Sequence, residues 1–142
     1  MFRSVPTLSF EHIARAFAKE TGSFCLQAMN VPPGARSFLV AALSRRQPRP
    51  ILFLSPSDAG AEETAREVSS YLGGGRVSLF PSLEVAPYET LSPYPAAVHD
   101  RMRALYRLFH AREGAPVIVC PVEAAIAKTL PPDIFAASVF RV

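Results

Sequence analysis

The chain has 142 residues, the size of one domain with room for a real core. Hydrophobic residues make up 49% and charged residues 19%, a balance that excludes a disordered polyelectrolyte. The net charge is only +3, and thirteen of the fifteen cations are arginines spread along the chain, so composition gives no concentrated nucleic-acid-binding block.

No apolar run approaches the roughly 18 residues needed to cross a bilayer. The opening Met1-Phe2-Arg3-Ser4-Val5-Pro6 lacks the apolar stretch of a signal peptide, which leaves the cytoplasm as the expected compartment with no membrane partner. In chain order, Ser9 is placed to cap a helix over about Phe10 to Glu20, which Gly22 ends. Ser23 to Met29 reads as a first strand. After the loop Asn30-Val31-Pro32-Pro33-Gly34 comes a helix from about Ala35 to Arg46, with Phe38, Leu39, Ala42 and Leu43 as its apolar stripe. Ile51 to Leu54 is apolar throughout, as expected of a strand covered by helices on both faces.

Ser57 or Asp58 caps the next helix, which runs to Leu72 and stops at Gly73-Gly74-Gly75. Val77 to Phe80 reads as a strand. Four prolines between Pro81 and Pro95 then rule out a long helix or a central strand, and a connection of this length is usually functional or a partner surface. A helix follows over about Ala96 to Arg112, with Val98, Met102, Leu105 and Phe109 at helical spacing. Val117 to Cys120 is a further strand, and Pro121 suits the first turn of the short helix after it, which Leu130-Pro131-Pro132 breaks. Ser138 to Val142 reads as a last strand. This alternation predicts a single α/β domain over residues 1–142, with a parallel sheet and helices on both faces.

In such a fold the loop after the first strand is where phosphates are usually bound, through G-x-x-x-x-G-K-[ST]. The octet here is Asn30-Val31-Pro32-Pro33-Gly34-Ala35-Arg36-Ser37. Asn30 and Ala35 replace both glycines, Arg36 replaces the lysine, and the two prolines remove N–H donors from the loop. Only Ser37 fits, so the loop reads as degenerate, with no nucleotide or metal expected. An acidic Walker B pair is also lacking, because Leu54 leads into Ser55-Pro56 and Cys120 into Pro121-Val122. Cys25 and Cys120 lie in apolar runs without metal-ligand spacing, which predicts buried thiols. Glu62-Glu63 reads as a solvated helix face, and His12, His99 and His110 as surface or helix-end residues without a Ser or Cys partner. Asp100 is placed for local ion pairs with Arg101 and Arg103.

The segment Phe80-Pro81-Ser82-Leu83-Glu84-Val85-Ala86-Pro87-Tyr88-Glu89-Thr90-Leu91-Ser92-Pro93, the helix Arg101 to Leu108, and Val117-Ile118-Val119-Cys120-Pro121-Val122 resemble the N-terminal region of bacterial transcription-repair coupling factors. The resemblance runs from about Cys25 to Pro132. It implies a UvrB-like first subdomain: a helicase-motor-like fold without an ATPase site, part of a larger protein that removes stalled RNA polymerase at DNA lesions and recruits UvrA for excision repair. Partners implied are the rest of the parent chain and, through the domain that follows, UvrA. RNA polymerase and DNA contacts, and the ATP and magnesium of the motor, belong to parts outside this chain. Tyr94-Pro95 runs straight into a helix where UvrB inserts a DNA-clamping hairpin, so strand clamping is not implied.

The candidate partner surface comprises Glu84, Pro87, Tyr88, Glu89 and Pro93 with Arg101, Arg103 and Arg107. Two other classes compete: a nucleotide-dependent helicase or small NTPase fragment using Arg36 and Ser37, and a weak nucleic-acid-binding module using the arginines of the Ala96 to Arg112 helix.

Overall fold

A computed structural model describes residues 9–13, 25, 27, 29–83, 94–110 and 115–138. Among the described residues from Pro33 onward, five helices and three strands follow in the order α1 (Pro33–Arg46), β1 (Ile51–Ser55), α2 (Asp58–Leu72), β2 (Val77–Leu79), α3 (Pro95–Phe109), β3 (Val117–Pro121), α4 (Val122–Ile126) and α5 (Pro132–Ser138). The strands form one parallel sheet in the order β1-β3-β2, with Ile51 opposite Val117 and Val77 opposite the same residue from the other side.

β3 is central, and its run of β-branched and apolar residues is buried on both faces. Val117 and Val119 point to the face packed by Val40 and Ala41 of α1 and Ala61 and Val68 of α2. Ile118 and Cys120 point to the other face, against Phe80, Ala104 of α3 and Ala124 of α4. Each fully buried valine contributes on the order of 1.5–3 kcal/mol by its removal from water. Helices therefore cover both faces of a parallel sheet, the α/β class expected from the alternation.

Local chemistry fixes the element ends. Ser57 caps α2, its Oγ accepting from Gly60 N at 3.2 Å. Gly73 ends that helix at φ 84°, a left-handed conformation open to glycine at little cost. Ser9 O accepts from His12 N at 2.9 Å, and residues 10–13 are helical; the rest of the expected first helix lies outside the described residues.

Several boundaries differ from expectation. α1 starts two residues early because Pro33 occupies N1, where its missing N–H is not needed. Its buried stripe is Ser37, Val40, Ala41 and Ser44, not Phe38, Leu39, Ala42 and Leu43. The helix is apolar on several sides, so periodicity alone did not identify the face that the small residues let approach α2. Phe38 instead lies across the ring of Tyr71 at 5.8 Å.

On α3 the buried pair is Arg101 and Ala104, while Phe109 stays half exposed against Phe135. Pro121 is the last residue of β3 and the N-cap of α4, in extended conformation, rather than a first-turn residue. α4 ends at Ile126, before Leu130, and Pro132 begins α5. Ser138 closes α5 rather than opening a strand, and 139–142 lie outside the described residues. Of the expected strand at 23–29, Cys25, Gln27 and Met29 are described; none is in a strand and all are exposed. Cys25 is thus not the buried thiol expected of it, whereas Cys120 is. No helix among the described residues is long and apolar enough to cross a membrane.

Candidate functional site

The loop at the phosphate position is held by its own residues. Asn30 takes the left-handed conformation at φ 58°. Pro32 caps α1, and its carbonyl accepts from both Ala35 N (3.0 Å) and Arg36 N (3.2 Å). The bond from Arg36 N is the first i→i−4 bond of the helix, while Ala35 N, an N3 amide, is turned onto the same carbonyl. Arg36 turns back on the loop, donating Nε–H to Val31 O at 3.0 Å. Gly34 sits in the first turn of α1, and a Cβ there would meet nothing within 4 Å, so neither packing nor a positive φ calls for glycine. Ser37 is only 1% exposed and donates its hydroxyl to the Glu67 carboxylate of α2. That hydroxyl links α1 to α2.

The C-terminal edge of the sheet carries a second constellation. Asp58, in the first turn of α2, accepts from Ser82 N at 3.0 Å and from the Ser82 hydroxyl. Arg101 lies over the Phe80 ring, 4.0 Å from guanidinium carbon to centroid, and donates to Pro81 O at 2.9 Å. Two fasteners from two helices thus fix Phe80 to Ser82, the root of the Pro-rich segment. Burial lowers the Arg101 pKa and raises that of the Cys120 thiol, and each of the two is partly offset by the charge of the other. Ser55, at the end of β1, is buried against Gly60, whose added Cβ would come 2.7 Å from the serine Oγ. Among the described residues no cluster of three or more His, Cys, Asp or Glu is arranged to hold a metal.

Of the eight residues expected at a partner surface, Arg101, Arg103 and Arg107 are described. Arg101 is 4% exposed and faces inward, over Phe80. Its place on the Arg101, Ala104, Leu105 and Leu108 stripe was a helical-spacing signal that its charge obscured. Arg107 is half-buried, bonded to Val77 O at 2.8 Å, Ser78 Oγ at 3.0 Å and Gly74 O at 3.3 Å. Arg103 is exposed and lies 3.8 Å from Asp100, the local pair expected of it. Glu84, Pro87, Tyr88, Glu89 and Pro93 lie outside the described residues.

His12 does have a serine partner, with Ser9 Oγ 2.9 Å from its Nδ1, but the pair is exposed and local to a helix start. His110 caps the C-terminus of α3 and stacks on Tyr106. Glu62 and Glu63 are exposed, while Glu67 was not singled out by sequence, because only the α1–α2 contact gives it a role. Arg76 was also overlooked: it donates to Ser44 O (3.1 Å) and Ala115 O (3.5 Å), tying the end of α1 to the segment just before β3.

Comparison with known proteins places the whole. No protein-family model matches the chain. It is 30% identical over 104 residues, 73% of its length, to the transcription-repair-coupling factor of Haemophilus influenzae. It is 34% identical over 116 residues, 76% of its length, to that of Myxococcus xanthus, and 34% over 105 residues, 70%, to that of Mycobacterium tuberculosis. The matched region covers only 9%, 9% and 8% of those relatives. Across the matched residues, and as a small part of such a protein, the chain belongs to the transcription-repair-coupling factor family.

Proposed function

We propose that this chain is a non-catalytic, UvrB-like scaffold of a transcription-repair-coupling factor: a motor-type α/β fold retained for its shape. The observation that carries the reading is Ser37, buried and bonded to Glu67 in the place of a magnesium-holding hydroxyl. The Pro32–Pro33 loop, Arg36 bound to Val31 O, and strand ends without a carboxylate pair at Ser55-Pro56 or Pro121-Val122 support it. In this reading the ATP-dependent DNA translocase motor and the polymerase contacts of the parent lie outside the chain. This region supports the adjoining part of the protein that docks UvrA.

The face available for packing against the rest of the parent is the uncovered side of β1. Leu52 and Leu54 are 61% and 50% exposed there. Leu52 borders an apolar groove of about 300 Å³ between β1, α3 and α4, lined by Ile118, Leu105, Leu108 and Ala124. An apolar strip on a parallel sheet with none of the described helices over it is an unfinished layer.

The test is pull-down of UvrA by this chain and by a longer chain carrying the sequence that follows it in the parent. Capture by the longer chain alone is the expected result. Equal capture by both would move the docking surface into this region and overturn the scaffold reading.

A further inference from the structure

The two edges of the sheet are finished differently. Among the described strands β1 and β2 lie at the two edges; β1 leaves Leu52 and Leu54 open, whereas β2 has Val77 and Ser78 only 6% and 5% exposed. The β2–β3 ladder uses the backbone of alternate residues: Arg76 O accepts from Val117 N at 2.9 Å, and Phe80 N donates to Val119 O at 2.8 Å. By the same alternation Val77 and Leu79 turn their N–H and C=O groups outward, where an incoming strand would pair. Arg107 reaches from α3 to this row. One guanidinium nitrogen donates to Val77 O at 2.8 Å, with Ser78 Oγ at 3.0 Å and Gly74 O at 3.3 Å as further acceptors.

We propose that Arg107 closes the β2 edge against strand addition by a second copy of this chain. An added strand would have to break the bond to Val77 O. It would also bury a guanidinium that shares its groove with Glu62 and Asp100 but is held by backbone and hydroxyl oxygens, not by a carboxylate. The carbonyl that β-pairing needs first is already taken, and the group that takes it resists being covered. The cation is thus an internal cap on the strand rather than a docking residue.

Sedimentation velocity over a concentration series tests this. The wild-type chain is expected to stay monomeric. Arg107→Ala, shown folded by far-UV circular dichroism, is expected to associate at concentrations at least about tenfold lower than wild type. Arg107→Lys, which keeps a cation at the edge, should restore the monomer. Adding Leu79→Pro to Arg107→Ala removes an outward N–H and not a ladder donor, and should also abolish association. An Arg107→Ala chain that stays monomeric throughout, or association that Leu79→Pro leaves intact, overturns the proposal. Amide hydrogen exchange of the wild type gives a readout independent of any variant's folding. The Val77 and Leu79 amides should show the same protection at low and high concentration, and protection that grows with concentration overturns the closed edge.

Discussion

Replacing Arg101 by alanine removes the fastener at the root of the Pro-rich segment, and its cost can be worked from the contacts. The bond from its guanidinium to Pro81 O, at 2.9 Å, is charge-assisted and contributes about 1.5–3 kcal/mol. The contact over the Phe80 ring adds about 0.5–2 kcal/mol in a desolvated setting. Against these stands the cost of burying the guanidinium, which alanine no longer bears and which burial shows by lowering the Arg101 pKa. A net loss of about 2–3 kcal/mol is expected, which for a chain of this length lowers Tm by about 6–12 °C. Urea and thermal unfolding followed by circular dichroism measure it. Arg103→Ala is the control, since that side chain is exposed and its pair with Asp100 contributes less than about 0.5 kcal/mol. If the two variants unfolded together, within 0.5 kcal/mol by that same standard, the assignment of Arg101 as a structural anchor would be wrong.

Four further outcomes follow from the same geometry. Ser37→Ala should cost about 1–3 kcal/mol by leaving the Glu67 carboxylate without its donor, and a double-mutant cycle with Glu67→Gln should show coupling of at least about 0.5 kcal/mol. Gly34→Ala should be neutral or stabilising by up to about 1 kcal/mol in urea unfolding, because helix propensity improves and nothing lies within 4 Å of the new Cβ. Burial raises the Cys120 thiol above its ordinary 9.0, so the unfolded chain loses that proton first as pH rises. Stability should therefore be full below about pH 9 and fall above it through the raised folded value, and Cys120→Ala should flatten that alkaline decline. Gly60→Ala should destabilise, with the clash at Ser55 Oγ outweighing the gain in helix propensity, and Ser55→Ala should partly rescue it in the same melts.

The fold was legible where the sequence signals were local. The apolar runs at Ile51 and Val117, the Ser57 cap and the Gly73 stop gave the three described strands and α2 with small errors at the ends. Contacts made across elements were not legible. Ser37 reads as a loop hydroxyl until α2 brings Glu67 to it, and Arg101 reads as surface charge until Phe80 lies beneath it. Arg107 read as a surface cation because its three acceptors lie on β2 and the turn before it, some thirty positions earlier, a pairing that helical periodicity cannot convey. The face of α1 was misjudged for a related reason. Small residues such as Ala41 and Ser44 allow helices to come close without producing an apolar stripe.

The most direct test of the account is a calorimetric titration of the chain with ATP and magnesium. The loop from Asn30 to Ser37, with its amides on Pro32 O and its hydroxyl on Glu67, predicts no heat of binding up to millimolar nucleotide. Saturable binding at micromolar affinity, lost in Ser37→Ala, would contradict it and return the chain to the nucleotide-dependent class.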